Sequence, residues 1–336
     1  MAPRERVASG SNDGAKDDDG RFVTPKDSRS GPDDLHLADA SNAVVLYGFC
    51  IAVTAFLLAV GAALCLHCLS LATNLGLIIT LIVLVVTRHF QILRSIKRVA
   101  VEAGVRGPGP NLSHLPAVHY LYVLGSGGHT TEMVALIRLS FRPKKNQHRR
   151  YIITHGDQHS QNREKDLENL IHESCPDGSG GTYDTFIVTR ARKVYQSYIT
   201  SIYSSLRCAL DILAALTRIP AQRAGEANAA GFRFPHVIVT NGPGTGFIVG
   251  LMAHVLKILY LVPEDRFKII FIETWARTHK LGLTGKLYSW TGITDLFVVQ
   301  SETLSKIVGR PNIGNVNTLW TEACKGDGKG KVNKEK

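Results

Sequence analysis

Charge is absent from a long stretch near the amino terminus: from Ala43 to Thr87 the chain holds no Asp, Glu, Lys or Arg. A helix needs only about 20 apolar residues to cross a bilayer, so residues 43–87 are expected to form a membrane segment of one or two helices. One crossing would run from about Val44 to Leu66, with a second apolar helix from about Leu69 to Val86 lying against or through the membrane. A full second crossing needs a turn near His67 to Asn74, for which Asn74 and Gly76 are the hinge residues on offer. A cleaved signal peptide fits poorly, because the apolar stretch is too long, starts too late and has no short basic leader. Large apolar groups are scarce in residues 1–42, which therefore predict a disordered tail. The six cysteines, Cys50, Cys65, Cys68, Cys175, Cys208 and Cys324, show neither a disulfide framework nor paired metal knuckles. Cys65 and Cys68 form a C-x-x-C, but inside an apolar run that starves a thiolate of the positive surroundings it needs.

What is present is basic. Lys and Arg outnumber Asp and Glu by 39 to 28, which favours anionic partners. The basic residues are spread out and no aromatic stacking platform accompanies them, which argues against nucleic acid. Arg88, Arg94, Lys97, Arg98 and Arg106 follow the apolar segment at once, so everything after Thr87 is expected on the cytosolic side. Residues 88–116 form a basic flank and a Gly/Pro linker, GVRGPGPNLSHLP, ahead of a soluble domain over 117–305 and a polar tail over 306–336. Asn111 heads a formal glycosylation sequon that a cytosolic position would leave unused.

From Val118 onward, strand-like runs alternate with helix-length segments: His119 to Leu124, Tyr151 to Thr154, Thr185 to Val188, His236 to Thr240, Phe267 to Ile272 and Leu296 to Val299. That alternation predicts an α/β fold, one Rossmann-like parallel sheet covered by helices. Between the third and fourth strands, Val194, Tyr198, Ile202, Leu206 and Leu213 recur at helical spacing, as a helix packed on the sheet or, less favoured, one lying on a membrane surface.

Three turns after strands carry the chemistry. The first, Gly125-Ser126-Gly127-Gly128-His129, lets backbone N–H groups crowd an anion at a helix start, so a phosphate or diphosphate is its natural guest. A dinucleotide fingerprint would want glycine where Thr130 stands, and a P-loop would want Gly-Lys-Ser/Thr; both are missing. Asp157 could imitate a ribose-binding acid, but the missing glycine weighs against it. His129 has three readings, a packing or capping residue, a phosphate ligand, or a general base for a sugar hydroxyl. The second turn, TNGPGTG from Thr240 to Gly246, again follows a strand and is either a ligand loop or an ordinary tight turn. In the third, IETWARTHKLGLTGK from Ile272 to Lys286, Glu273 ends a strand where open α/β sheets bind ligands, and Arg277 follows it. For Glu273 the plain alternative is a helix cap or an ion-pair partner.

Together LGSGGHTTEM, RKVYQSY, TNGPGTG and IETWARTHKLGLTGK, behind an apolar segment, resemble the asparagine-linked glycosylation fourteen family over about residues 118–301. The resemblance implies the acceptor-side, N-terminal half of a GT-B glycosyltransferase. It implies the membrane-anchoring subunit of the transferase that adds the second N-acetylglucosamine to dolichyl-diphosphate-GlcNAc. A complete GT-B enzyme has two such lobes, and a second set of strands is not evident after the first. The family supplies the other lobe as a cytosolic subunit of the asparagine-linked glycosylation thirteen family, which binds UDP-GlcNAc, so no cofactor or metal is expected on this chain. Carried over by position, His129 and Glu273 become the catalytic candidates. Gly125, Ser126, Gly127, Gly128, Thr130, Asn241, Gly242, Gly244, Gly246 and Arg277 become the diphosphate-binding candidates. The implied location is the endoplasmic reticulum membrane, extending to the nuclear envelope, with the domain facing the cytosol. The alternative kept open is a self-sufficient membrane-bound transferase acting on a phosphorylated lipid. After Ser301 this chain departs from the short apolar segment with which family members commonly hold the partner.

Overall fold

The structure is a computed structural model and describes residues 61, 70–102, 115, 117–191 and 198–321. The N-terminal tail, the first apolar stretch with Cys65 and Cys68, most of the linker with Asn111, residues 192–197 and the tail from 322 lie outside the described residues. Two compact units divide the chain, 1–80 and 81–336.

The described part of the first unit is the start of helix α1 (Leu71–Glu102), where Ser70 Oγ accepts the Thr73 N–H at 3.3 Å. Asn74 and Gly76, the expected hinge residues, lie inside this helix. Within Leu71–Arg98, 18 consecutive residues reach a mean hydropathy of 2.0, and the stretch is long and apolar enough to cross a membrane.

Helix α1 does not stop at Val86 but continues through the basic flank to Glu102. The reason is packing within the second unit. Ile92 and Ile96 are buried, Arg88 Nη1 sits 2.8 Å from Glu264 Oε1, and its guanidinium lies 3.9 Å from the Tyr260 ring centre. A flank that spacing suggests is free linker thus becomes an amphipathic continuation of the helix.

Six parallel strands form one sheet, β1 (Val118–Leu124), β2 (Gln147–Thr154), β3 (Thr182–Val188), β4 (Val237–Asn241), β5 (Lys268–Ile272) and β6 (Leu296–Val298), in the order β3-β2-β1-β4-β5-β6. The expected single parallel sheet is therefore what forms. Helices α2 (Gly128–Ser140) and α3 (Gln158–Ser174) cover one face, burying Met133, Ile137 and Leu167. On the other face lie α4 (Tyr198–Thr217), α5 (Gly244–Ile258), α6 (Leu283–Thr291) and α7 (Glu302–Val308), burying Ile212, Leu216, Val249, Ala253, Tyr288 and Leu304. Strand order reverses at β1 and β4, so the crevice beyond their carboxyl ends is the topological switch point of the sheet.

Strand β2 begins four residues earlier than its apolar run suggests, at Gln147 rather than Tyr151. Gln147-His148-Arg149-Arg150 looks like loop but is buried, because each guanidinium finds a carboxylate. Arg149 donates to Glu168 at 2.7 and 2.6 Å, and Arg150 to Asp184 at 2.8 and 2.6 Å as well as to the Ala215 and Arg218 carbonyls. Burial alone would raise the Asp184 pKa, but the bonds from Arg150 and His148 outweigh it and hold the carboxyl well below the usual range. A depressed carboxyl contributes stability above its unfolded pKa and loses it as pH falls. Asp184→Asn is therefore expected to cost on the order of 2 kcal/mol at pH 7 and progressively less as pH falls from about 4 toward 2, without vanishing there, measured by urea unfolding in detergent.

Helix α4 corrects one expectation. Ile202 and Leu206, taken as sheet-facing, are 71% and 61% exposed, while Cys208, Ile212, Ala215 and Leu216 face the core and Leu213 is half-buried. Val194 lies outside the described residues. The period is right and the phase is not, because large apolar side chains stand on both faces of this helix.

Ordered structure also continues past residue 305. Val299 bridges to Asn312, the buried Val316 donates its N–H to Gln300 Oε1 at 3.0 Å, and residues 316–321 are helical.

Candidate functional site

The first and second glycine turns meet at the switch point. After β1, the chain turns through Gly125 and Ser126 to Gly127, whose φ of 66° is left-handed, and α2 starts at Gly128 with no side-chain cap. After β4, Gly242 is also left-handed, at 61°, and α5 starts at Gly244, again without a side-chain cap. Helix starts without caps leave backbone N–H groups free for an anion. Ser126, Gly127, Gly128 and Gly244 are exposed there.

The two turns interlock. A Cβ placed on Gly242 would overlap the His129 ring, and one on Gly125 would meet Pro243 Cγ at 2.8 Å. Asn241 Nδ2 donates to the His129 carbonyl at 2.9 Å, tying the end of β4 to the start of α2. The His129 ring is half-buried against Gly242, and its Nδ1 has no hydrogen-bond partner. Burial lowers its pKa, the Glu132 carboxylate opposes that, and the positive charge of Arg277 adds to the lowering. The imidazole is therefore neutral at pH 7, able to accept a proton and unsuited to act as a cationic phosphate ligand.

Other candidates are buried behind the two turns. Thr130 is fully buried, with its hydroxyl bonded to the Gly125 carbonyl and to Ser160 Oγ. It pins the turn where a fingerprint glycine would stand. Gly246 is buried where a Cβ would overlap the Thr240 side chain, so it is small for packing. Asn241 is 2% exposed. Asp157 caps α3, accepting from Ser160 N at 3.1 Å and Ser160 Oγ at 2.8 Å.

At the third turn, Glu273 is 1% exposed. Its Oε2 accepts the Gly282 N–H at 3.0 Å and its Oε1 the Thr274 N–H at 3.3 Å. Burial raises its pKa, more than these N–H bonds lower it. The plain alternative, a carboxylate holding the start of a helix, is thus the role its geometry displays. Arg277, by contrast, is exposed. Glu273→Gln is expected to change the turnover number less than about tenfold and stability by no more than about 1 kcal/mol, since the lost acceptor is offset by removing a charge that burial disfavours. Kinetics of the assembled complex and a thermal melt check this.

Sequence reasoning missed Glu132, one helical turn after His129. It is 3% exposed and gathers three strand ends, accepting from Thr274 Oγ1 at 2.5 Å, Asn241 Nδ2 at 3.3 Å and Gln300 Nε2 at 3.5 Å. Its one sequence signal is an acid three residues after a histidine on the same helix face.

A doubly wound parallel sheet, with two uncapped helix starts interlocked at its switch point and a half-buried histidine beside them, defines an α/β protein with its crevice at the carboxyl edge of the sheet, where open sheets of this kind bind ligands. The sequence profile described as "Oligosaccharide biosynthesis protein Alg14 like" matches residues 120–315, and the chain belongs to this family. It is 31% identical over 193 residues to a protein of Debaryomyces hansenii named UDP-N-acetylglucosamine transferase subunit ALG14, covering 57% of this chain and 73% of that one. The protein of the same name from Candida albicans is 36% identical over 183 residues, covering 54% and 70%. A slight likeness links the chain to the crystal structure of Acinetobacter baumannii MurG, with a TM-score of 0.32 and 11% identity over 56% of this chain and 43% of that one.

Proposed function

We propose that this chain is the membrane-anchoring subunit of the UDP-N-acetylglucosamine transferase that adds the second GlcNAc to dolichyl-diphosphate-GlcNAc, and that its interlocked turns seat the acceptor's diphosphate. The observation that carries this reading is the contact of Gly242 with the His129 ring, which makes two helix starts and one proton acceptor into a single site. Relatives named as transferase subunits and the apolar helix α1 support the subunit role at a membrane.

Free N–H groups at the starts of α2 and α5 meet the diphosphate oxygens, and the exposed Arg277 adds a guanidinium suited to phosphate. The donor comes from a separate cytosolic subunit of the asparagine-linked glycosylation thirteen family, which brings UDP-GlcNAc. As the acceptor hydroxyl oxygen bonds to the donor's anomeric carbon and UDP leaves, the hydroxyl proton passes to neutral His129. Arg88, Arg94, Lys97 and Arg98 at the end of the apolar stretch favour a cytosolic domain, which suits the endoplasmic reticulum membrane.

The test is co-purification in detergent with the donor subunit, followed by transfer from UDP-GlcNAc to dolichyl-diphosphate-GlcNAc. The pair is expected to co-purify and to be active, with this chain alone inactive. Transfer by the purified chain alone would instead establish a self-sufficient enzyme.

A further inference from the structure

The outer face of α4 has no partner among the described residues. Ile202, Tyr203, Leu206 and Leu210 stand 71%, 68%, 61% and 59% exposed along it, a stripe of large apolar side chains at i, i+1, i+4 and i+8. Contiguous apolar surface of this kind on a folded domain marks a contact site. The one acid on this helix, Asp211, is turned away, accepting the Thr189 N–H at 2.8 Å, while Arg207 and the following Arg218 are exposed.

Helix α4 packs beside α5, and α1 touches α5 where His89 Nδ1 lies 2.8 Å from His254 Nε2. On α1, Leu81 to Val86 are exposed and Phe90 is 53% exposed, whereas Ile92 is buried. Two residues of helix rise only about 3 Å, so the domain begins where the apolar segment ends. Within the second unit, the same helical layer therefore carries the part of α1 from Leu81 onward and the exposed stripe of α4.

We propose that the outer face of α4 lies in the surface of the bilayer, with Ile202, Leu206 and Leu210 at the acyl boundary, Tyr203 at headgroup level and Arg207 against anionic headgroups. An exposed helix face of large apolar groups with arginine at its margin has the chemistry of an interfacial helix. The domain is then held at two places, by α1 and by α4, which fixes how its switch-point crevice is presented to a lipid-borne ligand. The proposal does not depend on which group the protein transfers.

The test uses the full chain reconstituted into vesicles of phosphatidylcholine and phosphatidylinositol. An environment-sensitive fluorescent amino acid replaces Leu206 or Leu210, or as a control the exposed Lys165 on the opposite helix layer, and lipids carry a nitroxide high on the acyl chain. Quenching is expected to be roughly threefold or more stronger at 206 and 210 than at 165, as for a face buried at the headgroup boundary. Equal quenching at all three positions overturns the proposal. Blue-shifted emission at 206 without lipid quenching also overturns it, because protein, whether another part of this chain, a second copy or the donor subunit, would then cover the face. A circular dichroism spectrum matching the unsubstituted chain confirms that each labelled protein is folded.

Discussion

Replacing Gly242 with alanine is expected to lower kcat/KM of the reconstituted complex by about 100-fold or more while the sheet domain remains folded. Two effects combine. The backbone at Gly242 has φ 61°, a left-handed conformation that costs an L-residue roughly 1–2 kcal/mol. The new methyl would also overlap the His129 ring, so either the ring swings away or the second turn retreats from the first. Both outcomes separate the proposed proton acceptor from the proposed anion seat, and a misplacement of about 1 Å is enough for that loss. Gly128→Ala is the matched control, because nothing lies within 4 Å of a Cβ there and the residue is already helical. The pair is compared by initial rates and by thermal unfolding in detergent. If Gly242→Ala retains near-normal transfer, the interlocked turns are not the acceptor site.

How much of this could be read from the chain depends on where the signal is local. All six strands were visible as apolar runs because a parallel strand covered on both faces needs them. The start of β2 was not, since Arg149 and Arg150 belong to a buried strand only when Glu168 and Asp184 arrive from elsewhere in the sequence. The glycine turns were legible as turns, because left-handed backbone at Gly127 and Gly242 is a local demand. Their contact was not, because it arises from β1 and β4 pairing across more than a hundred residues. For the same reason, roles within each motif separated only in three dimensions. Thr130, Asn241, Gly246 and Glu273 face inward and shape the site, while Ser126, Gly127, Gly128, Gly244 and Arg277 face out. The phase of α4 was beyond sequence reasoning because its two faces are nearly equally apolar, and only packing on α5 decides which is buried.

The orphaned position of His129 leads to the second large effect. Its Nδ1 has no hydrogen-bond partner, its pKa is lowered first by burial, and the charge of Arg277 acts in the same direction. A base must be neutral to work, and a lowered pKa keeps the ring neutral further into acid. Transfer by the unsubstituted complex is therefore expected to persist further into acid than an ordinary imidazole base would allow, and then to fall. His129→Gln, which keeps a polar side chain without a titrating group, is expected to lose about 10²–10⁴-fold in kcat, the usual contribution of a positioned base. The acid limb of the kcat profile should vanish with it, while KM for the lipid acceptor changes little. A merely structural ring would show the opposite split: it would raise KM or lower the unfolding temperature and leave the acid limb in place. Measuring kcat and KM for the acceptor from pH 5 to 8 in both proteins decides between the two, and a surviving acid limb in the His129→Gln complex would transfer the proton-accepting role to the donor subunit.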